Sequence, residues 1–166
     1  MIKPKLSTSF FLLSLISLAL FLFLFLIRGN YIPTEKENAP TYEGTVRKCN
    51  EKIDWISSTR LTESSSVEIV LENGESYTVD KVIADNANKY RILTLEGKDV
   101  KLLLHEGSGS VAEIKTTDAT ILDFDFSMQQ FEQYRFSLLI LSFGALLIFL
   151  ILLFSAVFVF IKEKRQ

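Results

Sequence analysis

Hydrophobic and polar positions divide the chain into three blocks. From Phe10 to Ile27 there are 18 residues without a charge, and from Phe136 to Ile161 there are 26 more. As helices these runs extend roughly 27 Å and roughly 39 Å at about 1.5 Å per residue. A bilayer's hydrocarbon core is about 30 Å thick. The pattern therefore predicts a transmembrane helix over 10–27. It predicts a second over 127–161, where a juxtamembrane portion precedes a span that must tilt or protrude. Neither run contains Asp, Glu, Lys, Arg, His, Asn or Gln. An ion path or proton relay normally needs such groups within the membrane, so a pump or transporter acting alone is not expected.

The middle follows a different rhythm. Residues 28–41 hold two of the three prolines and no apolar periodicity, and read as a spacer. Residues 42–126 read as a β domain. "YEGTVRKC" (Tyr42–Cys49) alternates like a strand, whereas "NEKIDWISSTRLTESSS" (Asn50–Ser66) reads as a long loop partly pinned by Trp55. "VEIVLENGESYTV" (Val67–Val79) is the best local signal. Val67, Ile69 and Leu71 share one face, Asn73-Gly74 suits a type I′ turn, and Tyr77 and Val79 return. Ile92, Leu93 and Leu95 fit either a strand or a helical turn. Val100, Leu102 and Leu104 alternate, "GSGS" (Gly107–Ser110) turns, and short strands follow from Val111 and Ala119. Five to seven short strands with closely spaced turns predict a small antiparallel β-barrel or sandwich between the two membrane helices. Its core must rest on Val, Ile, Leu, Tyr and Trp55, because no Phe lies between Phe25 and Phe124.

At "DFDFSMQQFEQYRF" the two rhythms meet. Phe124 and Phe126 alternate with Asp123 and Asp125 as the end of a last strand. Ser127 or Asp125 then caps a helix starting at Met128. That helix carries Phe131, Tyr134 and Arg135 through the lipid headgroup layer, which suits aromatic and basic side chains. These residues, with Asp123 and Asp125, are the candidate interaction or coupling set. Within the spans, Ser142, Gly144 and Ala145 are candidates for close helix packing, as are Ser14, Ser17, Ala19, Ser155 and Ala156.

Charge sets the expected orientation. Lys3, Lys5, Lys162, Lys164 and Arg165 flank the runs on one side, and Arg28 and Arg135 on the other. Five against two places both termini (1–9 and 162–166) in the cytoplasm and the β domain outside, in a cytoplasmic (inner) membrane. Lys3 and Lys5 also give the first run the basic start of a cleavable signal peptide. Its length and the lack of a small-x-small site in "LIRGNYIP" favour a retained signal anchor. Residues 29–135 carry 12 Lys and Arg against 19 Asp and Glu, a net of −7, which argues against nucleic acid as a partner and against an anionic-lipid-binding role for the middle domain.

Candidate chemistry is sparse. Cys49 is the single cysteine, so no intrachain disulfide forms. A half-buried strand residue is the plainer reading, and a reactive thiol the other. His105 is the single histidine and reads as a surface residue, with no second ligand at metal-binding spacing. Asp123 and Asp125 share a strand face, but two carboxylates fall short of a calcium site. "GSGS" lacks the lysine of a P-loop. No catalytic, cofactor or metal residues are expected.

The order of features resembles bacterial two-span membrane proteins of uncharacterised function that carry a small OB- or SH3-like β-barrel between the spans. The resemblance covers roughly residues 6–161. It rests on "EGTV", "VEIVLENGESYTV", "LEGKDVKLLL" and "ILDFDFSMQQFEQYR", with Lys98 where an acidic residue usually follows the glycine and Asp99 one place later. It implies fold and topology, not an activity. The expected function is a membrane-anchored, non-enzymatic interaction or accessory module, with membrane lipid and a protein partner or a second copy as partners. A small-ligand or ion sensor coupled through Asp125–Arg135 is the alternative. An enzyme working through His105 or Asp123 and Asp125 is the third reading.

Overall fold

The computed structural model describes residues 6–53 and 65–164. The expected loop around Trp55 and Ile56, and the flanking Lys3, Lys5 and Arg165, lie outside the described residues. The chain forms two compact units, Tyr31–Tyr134 and a helical unit of Met1–Asn30 with Arg135–Gln166. The described elements run α1 (Leu6–Ile27), β1 (Thr41–Ile53), β2 (Ser65–Leu71), β3 (Ser76–Val79), α2 (Lys81–Ala84), α3 (Lys89–Leu93), β4 (Asp99–Leu104), β5 (Val111–Thr116), β6 (Thr120–Leu122) and α4 (Phe124–Lys164). Single 3₁₀ turns at Arg28–Tyr31 and Lys36–Asn38 punctuate the spacer.

Six strands form one open antiparallel sheet in the order β3-β2-β1-β4-β5-β6. The pattern allowed a barrel or a sandwich; the barrel does not close. Strand β1 organises the sheet. Thr41–Thr45 pair with Asp99–Leu103 of β4, and Val46–Ile53 pair with β2. A register shift between Val46 and Lys48 separates these two partnerships. An extra residue in one strand bends it, and here one strand serves two neighbours. Strand β1 therefore runs past Cys49 to Ile53, and β2 begins at Ser65, so the loop expected over Asn50–Ser66 is shorter than the composition suggested. Asn50, Glu51 and Lys52 look like loop because they are polar; their ladder to β2 holds them extended.

The β2–β3 hairpin forms with the expected facing, Val67 opposite Val79 and Ile69 opposite Tyr77. Its turn differs from expectation. Gly74 has φ +88°, but no non-glycine residue has positive φ among the described residues, so Asn73 is not in the left-handed region that type I′ requires. Gly74 N–H instead donates to Leu71 C=O at 3.0 Å, and Leu71 N–H donates to Glu75 C=O at 2.9 Å. That is a type I turn closed by a left-handed glycine, the usual three-residue solution. Asn73 contributes through its side chain, whose Oδ1 accepts from Glu75 N–H.

Val46, Val67, Ile69, Leu71, Val79, Leu102, Ile114 and Leu122 fill the principal core. Ile92, which sequence left open between strand and helix, lies in α3 and packs there with Ile83 of α2. Phe131 of α4 is fully buried in the same cluster. Phe124 is buried in a second cluster with Ala39, Leu103 and Ala112, and Met128 packs against both. The core is therefore not phenylalanine-free: the first turns of α4 supply its large rings. Strand β6 ends at Leu122 and α4 begins at Phe124, before the expected start at Met128. The cap is Asp123, whose Oδ1 accepts from Phe126 N–H at 3.1 Å. Phe124, Met128 and Phe131 recur at helical spacing, and burying that stripe outweighs the strand-like alternation of "DFDF".

In the helical unit, α1 and the apolar part of α4 are long and apolar enough to cross a bilayer. Their contact surface is lined by Ser14, Ser17, Leu138, Ser142, Ala145 and Ala156, all buried. Ser17 Oγ donates across to Ala145 C=O at 2.7 Å, and Ser7 Oγ donates to Glu163 Oε2 at 2.8 Å. Ser14 and Ser142 hydroxyls return to carbonyls of their own helices, Phe11 and Leu139. Small side chains let the backbones approach, and each buried hydroxyl has an acceptor.

Replacing Gly74 with Ala forces a Cβ into the left-handed region and should lower stability by about 1–2 kcal/mol. Urea unfolding of the detergent-solubilised chain checks this; an unchanged midpoint refutes the turn assignment.

Candidate functional site

The spacer enters the sheet unit beside the point where α4 leaves it, and His105 lies between the two. His105 closes β4 and is fully buried, not at the surface as sequence suggested. Its ring lies 4.6 Å, centroid to centroid, from Phe131. Nε2 donates to the Ile32 carbonyl at 2.6 Å, and Nδ1 accepts from the Ser108 backbone N–H at 3.0 Å. One donor and one acceptor define a neutral imidazole with the proton on Nε2. Burial pushes its pKa down, and the Ile32 carbonyl and the Glu106 and Asp80 carboxylates oppose that only in part.

Aromatic packing extends the junction. Tyr31 lies 5.6 Å from Phe131 and meets Tyr134 edge-on at 4.9 Å. Its side chain also hydrogen-bonds Asp80, the residue that caps α2 by accepting from Val82 N–H. Ser110 continues the chain of contacts. Its hydroxyl donates to Thr78 C=O at 3.0 Å and accepts from Asp80 N–H at 2.8 Å. The end of β3 is thus tied to the start of β5 by one side chain in place of a strand ladder. "GSGS" forms the expected turn, with Gly109 at φ +66° and its N–H bonded to His105 C=O.

A second fastening lies four residues further along the spacer. Glu113 of β5 is almost fully buried, and its Oε1 accepts from Lys36 Nζ. The Lys36 ammonium also lies 5.4 Å from the Phe124 ring centroid. The bond to Glu113 raises the Lys36 pKa, with a smaller contribution from Asp123 and Asp125. Glu113 Oε2 has the Lys115 ammonium at 3.3 Å and no hydrogen bond.

The structure divides the candidate coupling residues by role. Asp123 is a helix cap, Asp125 lies exposed in the first turn of α4, Phe131 is core, and Tyr134 stacks on Tyr31. Phe131 therefore packs on the sheet and not in a headgroup layer. Arg135 is part-exposed, with a buried Nε that has no hydrogen-bond partner. Asp123 and Asp125 do not share a strand face, because the backbone there is already helical. Of the helix-packing candidates, Ser142 and Ala145 are buried in the seam and Gly144 is exposed. Sequence reasoning placed His105 at the surface and missed Lys36, Glu113 and Ser110. The one available signal was Glu113 at an apolar neighbourhood in "SVAEIKT".

Elsewhere on the sheet, an open groove of about 560 Å³ runs along β1, β4 and β5 between Glu43, Asp99, Lys101 and Lys115. Lys101 is paired with Glu43 at 2.8 Å. Cys49 is half-buried, and burial with the Glu96 carboxylate pushes its thiol up to about 11, which keeps it protonated and unreactive at neutral pH. Among the described residues no group of three metal-ligating side chains comes together. Comparison with protein-family models, curated proteins and solved structures finds no match.

Two outcomes follow from the junction. Because His105 has a folded pKa below its unfolded value of about 6.5, the unfolded state binds more protons below that pH. Stability should therefore be full above about pH 6.5 and fall as the pH drops toward the folded pKa. His105→Gln should flatten that slope, and an unchanged slope in the variant's unfolding curves refutes the assignment. Lys36→Met strips Glu113 of its hydrogen bond and should cost about 1–3 kcal/mol. Adding Glu113→Gln should recover part of the loss; a double variant as unstable as the sum of the single variants means the pair is not coupled.

Proposed function

We propose that this chain is a membrane-anchored, non-enzymatic module that holds a small β domain at the outer face of a cytoplasmic membrane for interaction with a protein partner or a second copy. The observation that carries the reading is the exposure of the two apolar helices. Phe23, Leu26, Phe136, Phe154 and Phe158 are each about half or more exposed, as are many of their neighbours. A core helix of a soluble protein buries such side chains. Helices that are apolar all round and unburied match hydrocarbon as their solvent.

The hydroxyl bonds from Ser7 and Ser17 of α1 to α4 support a retained anchor over a cleaved leader, since cleavage would strip α4 of its packing partner. Ser7 against Glu163 also pairs the start of α1 with the end of α4, in keeping with basic flanks on one side. The non-enzymatic reading draws on how the candidate groups are occupied. His105 uses both ring nitrogens in structural hydrogen bonds, and Asp123 is engaged as a cap. For the β domain, the order β3-β2-β1-β4-β5, helices between β3 and β4, and the Ser110 tie from β3 to β5 support an OB-type arrangement left open at that seam. That is the arrangement carried by the bacterial two-span proteins the sequence resembles.

Reporter fusions at Asn73 and at the two termini should report the sheet outside and both ends inside. Crosslinking in native membranes should then capture one defined protein or a homo-oligomer on the sheet unit. A cytosolic signal from Asn73, or a chain that stays monomeric and unpartnered, would end this reading.

A further inference from the structure

A groove of about 330 Å³ opens between α1 and α4 near the chain ends, walled by Ser7, Phe11, Leu153, Ala156, Val157 and Phe160. Its volume is at the small end of ligand clefts, and its walls are almost wholly apolar. The small Ser7 and Ala156 leave the gap, and the rings of Phe11 and Phe160 bound it.

A cation stands at its mouth. Lys164 Nζ lies 4.9 Å from the centroid of Phe160, so an ammonium rests on a ring that also walls the groove. Lys162 stands two residues earlier in α4 and is exposed. Glu163, the acidic residue between them, is directed to the Ser7 hydroxyl at 2.8 Å. Neither lysine has a carboxylate partner among the described residues.

We propose that this groove binds one anionic phospholipid, with an acyl chain between α1 and α4 and the headgroup phosphate on Lys164, while Lys162 adds positive charge at the same end of α4. The proposal rests on the membrane reading above and names a partner for it. An apolar slot ending in unpaired ammonium groups matches an amphiphile with an anionic head. A second copy docked head-to-head would bring the same lysines against each other.

Native mass spectrometry of the full chain, released from detergent with equimolar phosphatidylglycerol and phosphatidylcholine, tests the site. One phosphatidylglycerol should be retained preferentially. Lys162→Gln with Lys164→Gln should weaken that retention by about 5-fold or more and leave phosphatidylcholine unchanged. Val157→Trp, at an exposed position of the wall, should reduce retention of both lipids. Circular dichroism confirms that each variant keeps its helix content. Equal retention of the two lipids by the unaltered chain, or undiminished retention in Val157→Trp, overturns the proposal. A carbonate wash of the source membranes separates the two levels. A chain in the supernatant overturns the membrane reading itself, whereas a chain in the pellet without lipid preference overturns only the lipid site.

Discussion

Helix α4 has to serve two units with one unbroken hydrogen-bond ladder. Its first turns are a structural part of the sheet unit, and its remainder is apolar and largely exposed. The rest of the fold follows from that constraint. The sheet does not close, and an open sheet needs something large to cover its core. Phe124, Met128 and Phe131 provide it. The helix must also start early enough to present all three on one side, which is why Asp123 caps it directly after Leu122.

Two fastenings hold the spacer to the same sheet. The His105–Ile32 bond is neutral and buried; the Lys36–Glu113 bond is charge-assisted and half-exposed on the lysine side. They differ in what they resist. The first is insensitive to salt and weakened by acid. The second has one screened partner, and its worth comes mainly from keeping Glu113 from being buried alone. Around them Tyr31, Phe131 and Tyr134 supply contact area that neither polar bond provides.

Sequence reading succeeded where one periodicity had no rival. The apolar runs, the hairpin from Val67 to Val79 and the alternation of Val100, Leu102 and Leu104 each matched a single template. It failed where two templates overlapped. Asp123 to Phe126 alternates like a strand, while Phe124, Met128 and Phe131 repeat like a helix, and only the presence of an uncovered core decides between them. It was also blind to contacts distant in the chain. Nothing near His105 in sequence announces a carbonyl at Ile32, and nothing near Glu113 announces Lys36. "NEKI" reads as loop because ladder hydrogen bonds leave no mark on side-chain composition.

Strand β1 bears on how the chain is made. Its second half meets β2 soon after translation, but Thr41–Thr45 wait for Asp99–Leu103, more than fifty residues downstream. The ribosome delivers this edge first, so it stays unpaired while its mate is still being polymerised. Chaperones that shield lone β edges would find their client window there, and it closes when β4 emerges.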